Sequence, residues 1–87
     1  MSKGRELPLA PFYRILRKGG APRVSHEAAV MLRDLLEDIA MEVARESWVL
    51  AQHAKRRTVT ADDVSLAAKR VLRQVGIEYS RQGLASA

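Results

Sequence analysis

Hydrophobic residues recur at helical spacing in three stretches of the chain, which short polar or glycine-containing links separate. The first stretch carries Phe12 and Ile15 and follows residues 7–11, which include two prolines. Proline suits a first helical turn because the N–H groups there have no partner within the helix. Glycine is common just past a helix end and proline cannot continue a helix, so residues 19–22 (GGAP) predict an end at Lys18.

The second stretch predicts one long helix, because residues 26–54 contain neither glycine nor proline and Ser25 before them is a good N-cap. At 1.5 Å per residue this helix is about 43 Å long. Its main apolar stripe consists of Ala29, Leu32, Leu36, Ile39, Val43, Ser47, Leu50 and Ala54. Nearly opposite lie Val30, Met41 and Trp48. A helix that is apolar on two sides needs neighbours on both, so we expect it to be the central element.

The third stretch begins with Thr60 and has Asp63 three residues later, the pattern of a capping box. Apolar residues continue at helical spacing to Val75 and predict a helix that ends before Gly76, whereas residues 77–87 show no clear period. The fold class is therefore all-α, with a short helix, a long central helix and a short helix. Two short helices cannot cover so long a rod, so we expect an obligate dimer in which the long helices cross.

The chain has 87 residues, the size of one domain, and distributes its charge unevenly around a net +5. Residues 1–25 carry six basic and one acidic side chain, residues 26–46 carry two and six, and residues 47–87 carry seven and three. A solvated helix face is the simpler interpretation of the acidic middle. The two basic ends suit a bound polyanion if folding brings them onto one side.

The composition also excludes several classes. The absence of cysteine excludes disulfides, thiol nucleophiles and Cys-ligated zinc. The longest run without Asp, Glu, Lys or Arg has eight residues, 47–54, whereas a membrane span needs roughly 20 apolar residues. We expect no secretory signal at the N-terminus, because Pro8 and Pro11 interrupt the only short apolar stretch there. His26 and His53 would lie about 40 Å apart on the helix, and no metal-ligand, catalytic-triad or phosphate-loop spacing is present. We expect an intracellular protein that is not an enzyme and needs no cofactor or metal.

Three segments together carry a specific pattern: residues 6–11 (ELPLAP) followed by 14–16 (RIL), residues 23–25 (RVS), and residues 52–59 (QHAKRRTV) followed by 61–64 (ADDV). In this order and spacing they resemble the archaeal histones, relatives of the eukaryotic core histones. The similarity covers about residues 6–73. The resemblance implies the histone fold, a head-to-tail intertwined dimer, and double-stranded DNA wrapped around stacked dimers. It leaves open whether other histone paralogues also pair with the chain.

The same resemblance implies roles in DNA binding. Arg14 would enter the minor groove, where a guanidinium needs no particular base sequence; without the resemblance it would be interpreted as a solvated helix arginine. Contacts from the two loops would come from Arg23, Lys55, Arg57 and Thr58, and Thr58 would either hydrogen-bond a phosphate or position its neighbour. Arg56 and Asp63 would clamp the second loop, although Asp63 is also explained as the capping acid of the third helix.

Contacts between chains are implied as well. The dimer core would contain Leu32, Leu36, Ile39 and Val43. The interface between dimers would contain Leu50, His53, Asp63 and Leu66; His53 is equally explained as a partly buried structural histidine. Gly20 would let successive turns of wrapped DNA stack closely, or would simply end the first helix.

Three features depart from the family pattern. Lys55 stands where many relatives have glycine, so it adds charge near the DNA face and puts the loop geometry in question. Trp48 is large for its place in the long helix, and a role in core or inter-helix packing is the first expectation. The tail after Arg73 is longer than in the minimal relatives, and Arg81 within it either contacts DNA or belongs to a disordered end.

We therefore expect a sequence-tolerant DNA-binding histone that compacts DNA as homodimers stacked into nucleosome-like or filament assemblies, in the cytoplasm at the chromosome. The expected organisation is a short N-terminal tail at 1–5, a histone-fold domain at 6–75 and a C-terminal extension at 76–87. The main alternative is a histone-fold interaction module that dimerises without wrapping DNA. A protein that binds single-stranded RNA is less consistent with the sequence, because the chain has only four aromatic residues on which bases could stack. A helix that lies on a membrane surface is also less consistent, because the long helix carries acids, not lysines, opposite its apolar stripe.

Overall fold

The chain contains three α-helices in a computed structural model that describes residues 5–74 and 76. They are α1 (Ala10–Lys18), α2 (His26–His53) and α3 (Ala61–Arg73), and the described residues include no strand. The all-α prediction of a short, a long and a short helix is confirmed. The predicted tail at 1–5 and extension at 76–87, with Arg81, lie almost entirely outside the described residues.

Side-chain caps begin the two longer helices, as their sequences predict. The Ser25 hydroxyl accepts the N–H of Ala28 at 3.1 Å at the start of α2. At the start of α3 the Thr60 hydroxyl accepts the Asp63 N–H, and the Asp63 carboxylate accepts the Thr60 N–H at 2.9 Å. In contrast, α1 has Leu9 at its N-cap and no side-chain cap. This short helix of nine residues therefore relies on contacts elsewhere in the chain.

The chain divides into two compact units, Met1–Ile39 and Ala40–Ala87, and α2 contributes to each. In the first unit Phe12 of α1 and Ala29 of α2 are buried, and the Tyr13 hydroxyl lies 3.1 Å from Nδ1 of His26. In the second unit Ala51 and Ala67 are buried. Ser47 is also buried and satisfies its hydroxyl by donating to the Val43 carbonyl of the preceding turn at 2.7 Å.

Within the described residues, the buried apolar core of a single chain is small. It consists of Phe12, Ala29, Ala51 and Ala67. Many larger apolar side chains remain exposed, among them Ile15, Met31, Leu35, Leu36, Met41, Trp48, Val49, Val64 and Leu66. The predicted stripe of α2 is buried at Ala29 and Ser47, half-buried at most other positions and exposed at Leu36 and Ala54. Trp48 is 43% exposed, so it is not a core residue of the single chain. No described helix has the length and hydropathy of a membrane span.

Candidate nucleic-acid interface

A bidentate ion pair closes the loop between α2 and α3. The two terminal nitrogens of Arg56 donate to the two carboxylate oxygens of Asp63 at 2.8 and 2.9 Å. One of these nitrogens also donates to the Thr58 carbonyl at 2.9 Å. The Asp63 side chain is 7% exposed and the Arg56 side chain 39%. The pair therefore holds the loop backbone against the first turn of α3, in the geometry in which a planar guanidinium matches a carboxylate best.

The loop clamp has a clear electrostatic signature. The Arg56 guanidinium and the backbone N–H of Thr60 hold the pKa of Asp63 far below its usual range, because both stabilise the ionised carboxylate more than burial destabilises it. The hydrogen bond to Asp63 in turn raises the pKa of Arg56. Asp63 thus serves the clamp and the capping box together, through the same two oxygens. The sequence predicted both roles for it.

The loop residues outside the clamp that were predicted to contact DNA are exposed to solvent. Lys55, Arg57 and Thr58 are exposed, and neither cation has a hydrogen-bond or ion-pair partner in the described part of the chain. Lys55 has a φ of 60°, the left-handed region that glycine adopts easily. The turn that a glycine would form at this position is therefore kept, with a lysine in it.

The first unit carries the other two predicted DNA-contacting arginines. Arg14 lies on α1 and Arg23 in the link before α2; both are exposed. As far as residues 5–74 and 76 show, neither pairs with an acid. The structure groups Lys55, Arg57 and Thr58 in one loop of the second unit, and Arg14 and Arg23 in the first unit.

Five other described arginines are paired with acids of the same chain. The described ion pairs join Arg5 to Asp34 and Asp38, Arg33 to Asp34, Arg45 to Glu42, Arg56 to Asp63, and Arg70 to Glu46. None of the four cations predicted to contact DNA belongs to this set. The cations of the described chain thus separate into those paired with acids and those without an acidic partner, and the second group also includes Arg17, Lys18, Lys69 and Arg73.

The acidic stretch of α2 holds the segment before α1, which sequence reasoning missed. Glu37 accepts the N–H groups of Glu6 and Leu7 at 2.9 to 3.0 Å, and Arg5 donates to Asp38 at 2.7 Å. A merely solvated face is therefore the wrong interpretation for Asp34, Glu37 and Asp38. The signal available in the sequence was their spacing on one helix together with the lack of a capping residue before α1.

The residues predicted to contact other chains differ in exposure. Leu32, Ile39 and Val43 are half-buried, and Leu36 is 40% exposed. Of the predicted dimer–dimer residues, Leu50 is half-buried, His53 and Leu66 are exposed, and Asp63 is buried in the loop clamp. Gly20 has a φ of 117° just past the end of α1, and an added Cβ would meet no atom within 4 Å. Its backbone conformation alone accounts for a glycine there.

Two open apolar grooves lie along α2. One, of about 500 Å³, belongs to the second unit and is lined by Ala40, Val43, Ala44, Ser47, Val59 and Val64. The other, of about 520 Å³, belongs to the first unit and is lined by His26, Glu27, Val30, Met31, Asp34 and Leu35. Neither collects a set of metal ligands, and no group of three or more His, Asp or Glu side chains in the described chain is arranged to hold a metal ion.

Comparison with known proteins finds a matching protein family, two similar archaeal histones and a similar histone H4. Residues 5–68 match the family described as histone-like transcription factor (CBF/NF-Y) and archaeal histone. The chain is 55% identical over 62 residues to the probable archaeal histone 3 of Methanocaldococcus jannaschii, covering 71% of this chain and 92% of that protein. It is 52% identical over 64 residues to one of the subunits of the archaeal histone HAN1 from Thermococcus zilligii, covering 74% and 96%. It is also 42% identical over 57 residues to histone H4 of Entamoeba histolytica, covering 66% and 48%.

Proposed function

Since the chain belongs to the family of histone-like transcription factors and archaeal histones, we propose that it binds double-stranded DNA with little regard to sequence and wraps it around stacked homodimers. The family packages DNA and is not enzymatic, so the chain is a DNA-packaging protein associated with the chromosome and not an enzyme. The wrapping, the stacking into nucleosome-like or filament assemblies and a cytoplasmic location are the parts that we propose.

The observation that carries this proposal is the separation of paired from unpaired cations. Arg14, Arg23, Lys55 and Arg57 are exposed and have no acidic partner in the described chain. Cations of this kind release counterions from duplex DNA when they bind phosphates, and a minor-groove arginine adds a contact that needs no base sequence. In our proposal Arg14 enters the minor groove, and Arg23, Lys55, Arg57 and Thr58 contact the backbone.

The small buried core supports the dimer. A single chain leaves Leu36 and Met31 in water and keeps two apolar grooves open on α2. Monomeric soluble proteins rarely leave so many large apolar side chains exposed along one element. We propose that the long helix of a second copy covers Leu36 and the groove beside Val43 and Ser47, with Leu32, Leu36, Ile39 and Val43 in the dimer core.

Stacking of dimers is the finer part of the proposal. Leu50, His53, Asp63 and Leu66 are the proposed contact surface, and the exposed His53 and Leu66 offer the area for it. We further propose that Gly20 leaves room for neighbouring turns of DNA, and that residues 6–75 form the DNA-packaging domain between the N-terminal tail at 1–5 and the C-terminal extension at 76–87.

Nuclease digestion of duplex DNA with increasing amounts of the full chain tests the proposal. Two duplexes of unrelated sequence are used, and single-stranded DNA serves as competitor. We expect protected fragments that lengthen in regular steps on both duplexes. We also expect the single-stranded competitor to displace little protein from the duplex. One short footprint of fixed length would refute stacking but keep DNA bending by the dimer.

The alternative is an interaction module that dimerises without wrapping DNA, and the transcription-factor part of the family description favours keeping it. It predicts dimers in solution and no protected fragment at any protein concentration. That result would overturn the DNA-packaging proposal.

A further inference from the structure

The segment before α1 is fastened to α2 by charged groups. Both carboxylate oxygens of Glu37 accept the backbone N–H of Glu6, and one of them also accepts the N–H of Leu7. Arg33 of the same helix donates to the Leu7 carbonyl at 3.4 Å. Arg5 donates to Asp38 and lies 3.4 Å from an oxygen of Asp34. Residues 5–7 are therefore held from both sides immediately before α1 begins at Ala10.

This fastening holds the chain that leads into α1, although it does not cap the helix, because the N–H groups that Glu37 accepts belong to residues before Leu9. The helix has only nine residues, no side-chain cap and no acid in its first turn. Isolated helices of this length are unstable in water, so the direction of α1 depends on its attachments. At its N-terminal side these are the hydrogen bonds to Glu37; further along they are the buried Phe12 and the contact of Tyr13 with His26.

We propose that Glu37 is a positioning residue for DNA binding: by fixing the backbone of Glu6 and Leu7 it sets the direction of α1 and hence the place of Arg14. This inference rests on the proposed DNA-binding function and adds to it a residue that does not touch DNA. The N–H groups of Leu7 and Glu6 lower the pKa of Glu37, so its carboxylate is ionised and is a strong acceptor at neutral pH.

The proposal predicts a sign opposite to that of simple electrostatics. Removing an acid from a DNA-binding protein should raise its affinity for a polyanion. If Glu37 positions Arg14, however, Glu37→Ala lowers duplex affinity, because the misplaced arginine loses more than the removed charge adds. Glu42→Ala is the matched control: it removes the same charge from the same helix, and within the described residues Glu42 pairs with the exposed Arg45 alone, one turn away.

The experiment measures binding of the full chain to one duplex, with Arg14→Ala and the double variant completing a cycle. We expect Glu37→Ala to weaken binding about three- to tenfold and to have little further effect in the Arg14→Ala background. Glu42→Ala should leave affinity unchanged or raise it. Glu37→Gln should recover part of the loss, because its remaining carbonyl oxygen still accepts the two N–H groups, although it lacks the charge.

The outcomes separate the inference from the function on which it rests. Equal affinities of Glu37→Ala and Glu42→Ala, with the wild type binding duplex DNA, would overturn the positioning role alone. The positioning role would also be overturned if the affinity lost in Glu37→Ala added in full to the affinity lost in Arg14→Ala. Equal losses of affinity in Glu37→Ala and Glu37→Gln would overturn it as well. A wild type that does not bind duplex DNA would overturn both. Helicity of each variant, measured by circular dichroism at the binding temperature, separates misplacement of α1 from unfolding, and Glu37→Gln carries the cycle if Glu37→Ala unfolds.

Discussion

Lys55 occupies at the end of α2 the left-handed backbone position that Gly20 occupies at the end of α1. The N–H of Gly20 donates to the Arg17 carbonyl at 2.9 Å, and that of Lys55 donates to the Gln52 carbonyl at 2.9 Å. In both helices the next N–H bonds to the carbonyl five residues earlier, at 3.4 Å for α1 and 2.9 Å for α2. Both ends are therefore Schellman motifs. The φ values are 117° for Gly20 and 60° for Lys55.

Replacing Lys55 should separate its backbone strain from its charge. A side chain in the left-handed region costs about 1–2 kcal/mol and glycine avoids most of this, although glycine also makes the unfolded chain more disordered. We expect Lys55→Gly to be more stable to urea than Lys55→Ala by about 1 kcal/mol. Both variants lose the same charge, so their duplex affinities should fall equally below that of the wild type. A glycine variant no more stable than the alanine variant would contradict the strain.

The loop clamp should make stability depend on acidity through Asp63. The pKa of Asp63 is lowered in the folded chain, so its carboxylate stabilises the fold fully above the unfolded pKa of about 4. This contribution disappears as pH falls through the lower folded value. We expect Asp63→Asn to be less stable than wild type at pH 7 and the two urea midpoints to converge as the pH is lowered from about 5.

Asp62→Asn is the control for this measurement, because Asp62 is an exposed neighbour in the same helical turn and is not part of the described ion pairs. Its urea midpoints should run nearly parallel to those of the wild type. Curves for Asp63→Asn that also stay parallel to the wild type would show that the carboxylate does not contribute through its ionised form.

The predicted apolar stripe of α2 should hold the dimer together. Leu36 and Met41 are 40% and 49% exposed in the single chain, but only Leu36 belongs to the predicted stripe. We expect Leu36→Glu to abolish the dimer in light-scattering measurements and to reduce helicity, since a single chain buries too little apolar surface. Met41→Glu introduces the same charge nearly opposite and should remain dimeric. Dimers formed equally by both variants would exclude the stripe as the interface.

Arg14 should act on DNA and not on the fold. Its side chain is exposed and has no hydrogen-bond or ion-pair partner in the described residues, so Arg14→Ala should change the free energy of unfolding by less than about 0.5 kcal/mol. Nuclease protection should nevertheless weaken. Arg45→Ala is the control, because Arg45 is also an exposed arginine but already pairs with Glu42 at 2.6 Å; its nuclease protection should match that of the wild type. Undiminished protection by Arg14→Ala would remove the minor-groove assignment.

Features that depend on neighbouring residues were readable from the sequence. The Ser25 cap, the Thr60–Asp63 capping box and the end of α1 at Lys18 each involve groups within a few residues of one another. Local hydrogen bonds and steric limits determine such features, whatever the rest of the chain does. The predicted end of α2 was one residue late, at Ala54 instead of His53, as is usual at a helix end.

The contacts around α2 were not readable in the same way. Glu37 meets Glu6 across 31 positions and Arg5 meets Asp38 across 33, so an acid that looks solvated in a helical pattern proves to hold a distant segment. Similarly, nothing in residue type places Lys55 in a left-handed conformation. That backbone accompanies the Schellman hydrogen bonds at the end of α2 and the Arg56–Asp63 pair that closes the loop after it.

The sequence by itself determined the order of the helices and their caps, because short-range geometry suffices for these, whereas the candidate DNA-contacting cations came from the resemblance to a family. Only the tertiary structure decided which charges are neutralised within the chain and which are left for a partner. That distinction depends on side chains meeting across many positions, since a carboxylate on α2 has the same chemistry whether it faces water or the N–H groups of the chain before α1.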